Sequence, residues 1–174
     1  MNYSVQLLKA HSRANADLVL GHVLKEETRV AALMEAFLEG EYRVVQRSAM
    51  VVGDLGRLKP DWLNPWHQRM IAAADPASHP SVSRNVMRYF SELPLFAINE
   101  KDRGPLLDLA FRLTEDQAEA VAIRVFAMTV VFNFCTLHPE LKDELRGIIE
   151  LTIAEGTTPG FRSRGGKILA ELNR

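Results

Sequence analysis

The chain has 174 residues, 47% hydrophobic and 25% charged, which is enough to enclose a continuous core and is ordinary for one globular domain. Its 21 lysines and arginines against 22 aspartates and glutamates leave a formal charge of −1, so the overall balance attracts neither nucleic acid nor anionic lipid, and such binding would need local clustering. The lone Cys135 excludes an internal disulfide, and the start MNYSVQLLKAHSR lacks the apolar run and cleavage site of a secretory leader, so a reducing cytoplasm is the expected compartment.

In chain order, helix-period runs alternate with short breakers and no convincing period-2 strand occurs, which predicts an all-α class. The runs pair as 3–11 with 13–24, 27–38 with 41–58, 64–74 with 79–92, 101–112 with 115–137, and 139–154 with 159–172. About five antiparallel helix pairs in a single domain, 1–174, are therefore expected. The breaks fall at HSR, LEGE, KPDWLNP, DPASHP, LTED, LHPE and EGTTPG, and Pro65, Pro80, Pro139 and Pro159 stand where helices open, because the missing N–H of proline costs nothing in a first turn. The longest apolar stretch, VFAMTVVFNFCTL at 125–137, is shorter than the roughly 20 residues that cross a bilayer, and it reads as part of a buried helix apolar on more than one side. Val121, Val125, Met128, Val131, Phe132 and Cys135 are its expected core residues.

The second helices of the later pairs share a pattern. YRVVQRSAMVVGDLG, PSVSRNVMRYFSEL, AVAIRVFAMTVVFNF and PGFRSRGGKILAEL each present an arginine, Arg47, Arg84, Arg124 and Arg164, followed by small and apolar residues at helical spacing, and these arginines lie 37, 40 and 40 residues apart. That interval suits two-helix solenoid repeats, in which a pair cannot bury its apolar face alone and stacks on its neighbours. The stretch VVQRSAMVVGDLG in particular resembles the second helix of a HEAT repeat, and the likeness to HEAT and armadillo arrays covers residues 27–173. It implies a right-handed α-α superhelix with four repeats over 27–174 and a divergent cap pair over 1–26. The chain is also similar to small bacterial HEAT-like proteins, a likeness that supplies a fold and no activity.

The segment GFRSRGGK at 160–167 is close to a phosphate loop but departs from it twice. Phe161 replaces the first glycine and Ile168 stands where a hydroxyl must hold magnesium, and such a loop joins a strand to a helix. The residues read better as a helix with Thr158 as N-cap, Pro159 in the first turn, and Phe161, Ile168, Leu169 and Leu172 facing inward. No cofactor is implied.

Arg47, Arg84, Arg88, Arg124 and Arg164 are candidates for a binding ladder along a concave face, with Arg43, Arg57, Arg69 and Arg162 nearby. Against that, arginines near repeat interfaces often bond helix-terminal carbonyls or neighbouring carboxylates while their stems cover apolar surface. PDWLNPWHQRM gathers Asp61, Trp62, Trp66 and His67, a cluster that either stacks on a ligand or plugs the space between helices. One DNA-repair glycosylase family built of HEAT-like repeats uses concave aromatics with an aspartate, and Asp61, Trp62 and Trp66 match it by residue type alone. The five histidines show no metal spacing, His79 and His138 precede prolines where helix capping is the simpler role, and Cys135 lies in an apolar run without activating cations. The pattern favours a non-enzymatic module presenting a concave helical surface to a protein or peptide, with no membrane role. A DNA-binding or base-excising HEAT protein, and a small-ligand protein or enzyme at Trp62 and Trp66, are the rival readings, and a nucleic-acid partner is disfavoured.

Overall fold

The computed structural model describes residues 1–75 and 80–173. Among them the regular structure is helical. The first pair is α1 (Tyr3–Lys9) and α2 (Arg13–Val23), and the second is α3 (Val30–Leu38) and α4 (Tyr42–Leu58). Next come α5 (Pro60–Leu63), α6 (His67–Ala73) and α7 (Pro80–Glu92), then α8 (Glu100–Glu115) with α9 (Val121–Phe134) and α10 (Leu141–Ala154) with α11 (Pro159–Leu172). No described helix is long and apolar enough to cross a membrane.

Local chemistry sets the boundaries. Asn2, Ser12 and Thr158 each accept a hydrogen bond from a backbone N–H of the first turn that follows, at 3.1, 3.2 and 3.3 Å, which satisfies donors that have no partner inside the helix. Pro159 opens α11 as expected, and its stretch GFRSRGGK is helical throughout, so its amides follow a helix axis and do not wrap an anion. Gly156, at φ +98°, turns the chain after α10 in the left-handed region that favours glycine. Pro60, not Pro65, occupies the first turn of α5, and Pro65 lies in a 3-10 turn over Asn64–Trp66. Pro139 sits in a turn two residues ahead of α10 and its carbonyl accepts from Lys142 at 3.1 Å. His138 is exposed and pairs with Glu140 at 3.3 Å instead of capping α10. The capping role expected of His79 lies outside the described residues.

The second helices touch in succession, α2 on α4, α4 on α7, α7 on α9 and α9 on α11. The first helices, α1, α3, α6, α8 and α10, lie against their own partners and meet each other more sparsely than the second helices do. One continuous core fills the space between the rows, with Phe37, Leu55, Met70, Met87, Phe90, Phe134 and Phe161 fully enclosed.

The expectation for α9 needs correction. It begins at Val121, not 115, because Asp116 Oδ1 accepts from the Ala118 N–H at 2.9 Å and Glu119 Oε1 from the Ala120 N–H at 2.7 Å, local bonds that compete with a helix. It is also not apolar-buried all round. Ile123, Ala127, Met128, Val130, Val131 and Phe134 face the core, whereas Val121 is 38% exposed and Val125 and Phe132 are half-buried. The more open side is the stripe Val121, Val125, Thr129, Phe132 at helical spacing, which α7, α8, α10 and α11 enclose less fully than the core-facing side. α7 is the more enclosed helix, with 8 of its 13 residues buried.

Candidate functional site

The arginines singled out in the sequence do not form one ladder. Arg47 is half-buried and its Nη1 donates to the Leu7 carbonyl at 2.8 Å, in the last turn of α1. Arg124 is 6% exposed, its Nε donates to the Thr114 carbonyl at 3.0 Å in the last turn of α8, and its guanidinium stacks on Phe161 at 4.4 Å. Burial lowers the affinity of Arg124 for its proton, while the charge of Asp116 works the other way. Both arginines close helix C-termini, where unpaired carbonyls and the negative end of the helix dipole favour a cation. Arg29 does the same for α2, donating to the His22 carbonyl at 3.0 Å. Arg84 is half-buried on α7 and Arg164 is exposed on α11. Arg124 is displaced from the others by about one position: Arg47, Arg84 and Arg164 each precede a buried small or polar residue, Ser48, Asn85 and Gly165, whereas Arg124 is itself the buried residue.

The tryptophan cluster is also divided. Asp61 is exposed, while Trp62 and Trp66 are half-buried against the core, covered by the Lys59 ammonium at 5.6 Å and the Arg69 guanidinium at 5.5 Å. His67 is fully buried and withdrawn from a surface ligand; its Nε2 meets the Tyr89 hydroxyl at 3.0 Å, and its ring packs edge-on against Tyr89 and Phe90. Burial pushes the imidazole pKa down to about 4, with the charge of Asp102 opposing weakly, and burial also raises that of the Tyr89 phenol.

Arg88, by contrast, lies in a groove of about 240 Å³ between α4 and α7, on the side of the second helices. A chain of opposite charges crosses it. Arg13 of α2 pairs with Asp17 and Asp54, each at 2.8 Å. Asp54 also pairs with Arg57, Arg57 reaches Glu92 at 3.1 Å, and Glu92 accepts from Arg88 at 3.0 Å. Asp54 is 7% exposed, and two arginines hold it there, as a buried carboxylate requires. Beside it Asn85 is 4% exposed and its Nδ2 has no hydrogen-bond partner. Tyr89 closes the floor against Gly56, where a Cβ would come within 2.6 Å of the ring. The groove thus holds three guanidinium groups and an amide donor against two carboxylates.

Of these residues, Arg57 and Arg88 were visible in the sequence, whereas Arg13, Asp54, Asn85, Tyr89 and Glu92 were not. Asp54 carried a signal, a lone carboxylate inside the apolar run VVGDLG, since a charge on an apolar face is seldom enclosed without partners.

Residues 3–172 match the family model described as HEAT repeat domain. No curated protein and no solved structure matches the chain.

Proposed function

We propose that the chain, which belongs to the HEAT repeat family over nearly its whole length, is a non-enzymatic scaffold that receives an acidic segment of a protein or peptide partner in the α4–α7 groove. One observation carries this reading: the buried, unpartnered Nδ2 of Asn85 stands beside the guanidinium groups of Arg13, Arg57 and Arg88, whose side chains are 60, 57 and 54% exposed. Each arginine spends part of its donor set on Asp54 or Glu92 and directs the rest outward, and guanidinium groups take carboxylates bidentately. The fixed carboxylates pre-order the arginines, which lowers the entropy lost when a partner binds. They also break up the positive field, so the groove lacks the uninterrupted basic stripe that grips duplex DNA. A reducing cytoplasm suits the lone, buried Cys135, whose thiol burial makes less acidic. The first helix pair serves as the end cap, and the arginines at helix ends secure the repeats.

Random-peptide display on the folded protein tests the reading. Enriched peptides should carry clustered aspartate or glutamate, and fluorescence anisotropy should show them binding at least about tenfold more weakly to Arg88→Glu, a difference of about 1.4 kcal/mol. Enrichment without acidic residues, or binding indifferent to Arg88→Glu, overturns it. Salt-sensitive affinity for duplex DNA that exceeds the peptide affinity restores the nucleic-acid reading.

A further inference from the structure

On the opposite row of helices, α6 and α8 border a second groove, of about 590 Å³, within the range of about 300–1,000 Å³ usual for small-molecule sites. Two helical stripes build it. Gln68, Ile71, Ala72 and Asp75 recur at i, i+3, i+4 and i+7 on α6 and the segment after it, and Asp102, Pro105, Leu109 and Arg112 recur similarly on α8. Ile71 and Leu109 are buried and make an apolar floor. Three aspartates, Asp75, Asp102 and Asp108, against Lys101 and Arg112 leave one net negative charge.

The charges are unequally placed. Arg112 reaches Asp75 at 3.5 Å, so these two largely offset each other at one end. Lys101 and Asp108 are exposed on the rim, where water screens them. Asp102 alone is enclosed: it is 3% exposed, lines the groove, and its Oδ2 has no hydrogen-bond partner. It stands in the first turn of α8, where the helix N-terminus carries partial positive charge. Its buried neighbour His67 is neutral near pH 7 and so supplies no counter-charge, and the Nδ1 of that ring is likewise without a partner. A buried acceptor of this kind is costly unless something pairs with it.

We propose that the α6–α8 groove is a binding site for a small primary alkylammonium ion, with Asp102 as counter-ion, Ile71, Pro105 and Leu109 enclosing the alkyl chain, and Asp108 as a second acceptor at the rim. An ammonium head offers three donors to a carboxylate, and an unbranched alkyl body suits a floor of aliphatic side chains. An anion of the same length would meet Asp102 at close range in a poorly screened setting. The site is independent of the α4–α7 groove, and neither reading depends on the other.

Titration of isotope-labelled protein with n-pentylammonium chloride at pH 7, followed by amide NMR shifts, tests the assignment. The expected result is a saturable shift confined to α6 and α8, with hexanoate and 1-pentanol binding at least tenfold more weakly. Asp102→Asn, which keeps the shape and removes the charge, should weaken pentylammonium at least tenfold. Ala72→Phe, at an exposed groove position, should abolish it while leaving the fold intact, so the test survives even if Asp102→Asn fails to fold. Absence of saturable α6–α8 shifts, hexanoate binding as well as pentylammonium, or full affinity in Ala72→Phe each overturns the proposal. Affinity at least tenfold higher for Nα-acetyl-lysine methylamide than for pentylammonium overturns the small-amine form and reassigns the groove to a lysine of a protein.

Discussion

Enclosing the imidazole of His67 against Tyr89 has a consequence in solution. Its pKa is about 4 in the folded chain against an ordinary 6.5, because burial penalises the charged ring more than Asp102 supports it. Above about pH 6.5 the ring is neutral in both folded and unfolded chains and the full stability is present. Between pH 6.5 and 4 the unfolded chain binds a proton that the folded chain does not, so stability falls as pH falls, by about 3 kcal/mol over the whole window. Urea denaturation at pH 7.5 and pH 5 should therefore show a loss of about 2 kcal/mol from this residue. His67→Gln retains an acceptor for the Tyr89 hydroxyl and cannot be protonated, so its pH slope should be flatter than the wild-type slope by that amount. Other titrating groups, His22 included, cancel in the comparison. Equal slopes in the two proteins would show that the ring is not held neutral. Cys135 makes the complementary point: its Sγ–H donates to the Val131 carbonyl at 3.5 Å, and burial raises its pKa, which favours the thiol over the nucleophilic thiolate.

Helices form where periodicity and caps agree, and that much was readable in advance. Thr158 and Pro159 marked the start of α11, and the breakers LEGE and EGTTPG bracketed α4 and α11 within two residues. Which side of a helix is enclosed was harder to read, because it depends on neighbours that no local pattern names. In α9 the apolar residues run nearly all round, and only packing by α7, α8, α10 and α11 decides that Phe134 is 1% exposed while Phe132 lies half-buried on the more open stripe. Phe134→Ala should cost about 3–5 kcal/mol, as truncation of an enclosed aromatic does, and Phe132→Ala less than half of that. Chemical denaturation of the two variants decides the matter, and a larger loss at Phe132 would reverse the assignment of faces. The groove was less legible still. Arg13, Asp54, Arg57, Arg88 and Glu92 come from three helices across 80 residues of chain, and their pairing follows from the stacking of α2, α4 and α7 rather than from any spacing. Arg47 and Arg124 take the second of the two roles open to them in the sequence, bonding helix-terminal carbonyls, and the choice was not legible because an arginine that closes the C-terminus of a preceding helix has the same sequence context as one offered to a partner.

At the scale of the whole molecule, an array in which each pair meets chiefly its neighbours is held together by local interfaces, so its stability is distributed unevenly along the chain. α7 and α9 sit in the middle, enclosed by packing from both sides, and carry Phe90, Met87, Met128 and Phe134. The terminal pair, in which Leu145, Ile149 and Phe161 are fully buried, rests on α9, whose Arg124 stacks on Phe161. Exposed polar side chains cover much of the rest of α11, among them Arg162, Ser163, Arg164 and Lys167. Opening α10 and α11 therefore breaks one interface, while opening α7 breaks those with α4, α6 and α9 together. Native-state hydrogen exchange in low denaturant should find the amides of α10 and α11 exchanging through an opening of lower free energy, and with a smaller denaturant dependence, than those of α7 and α9. Phe161→Ala should widen the gap by lowering the protection of α10 and α11 while leaving α4 and α7 nearly unchanged. If all of these helices instead exchange through a single opening with one free energy and one denaturant slope, and Phe161→Ala lowers them equally, the molecule unfolds as one unit and the nearest-neighbour account of its stability is wrong.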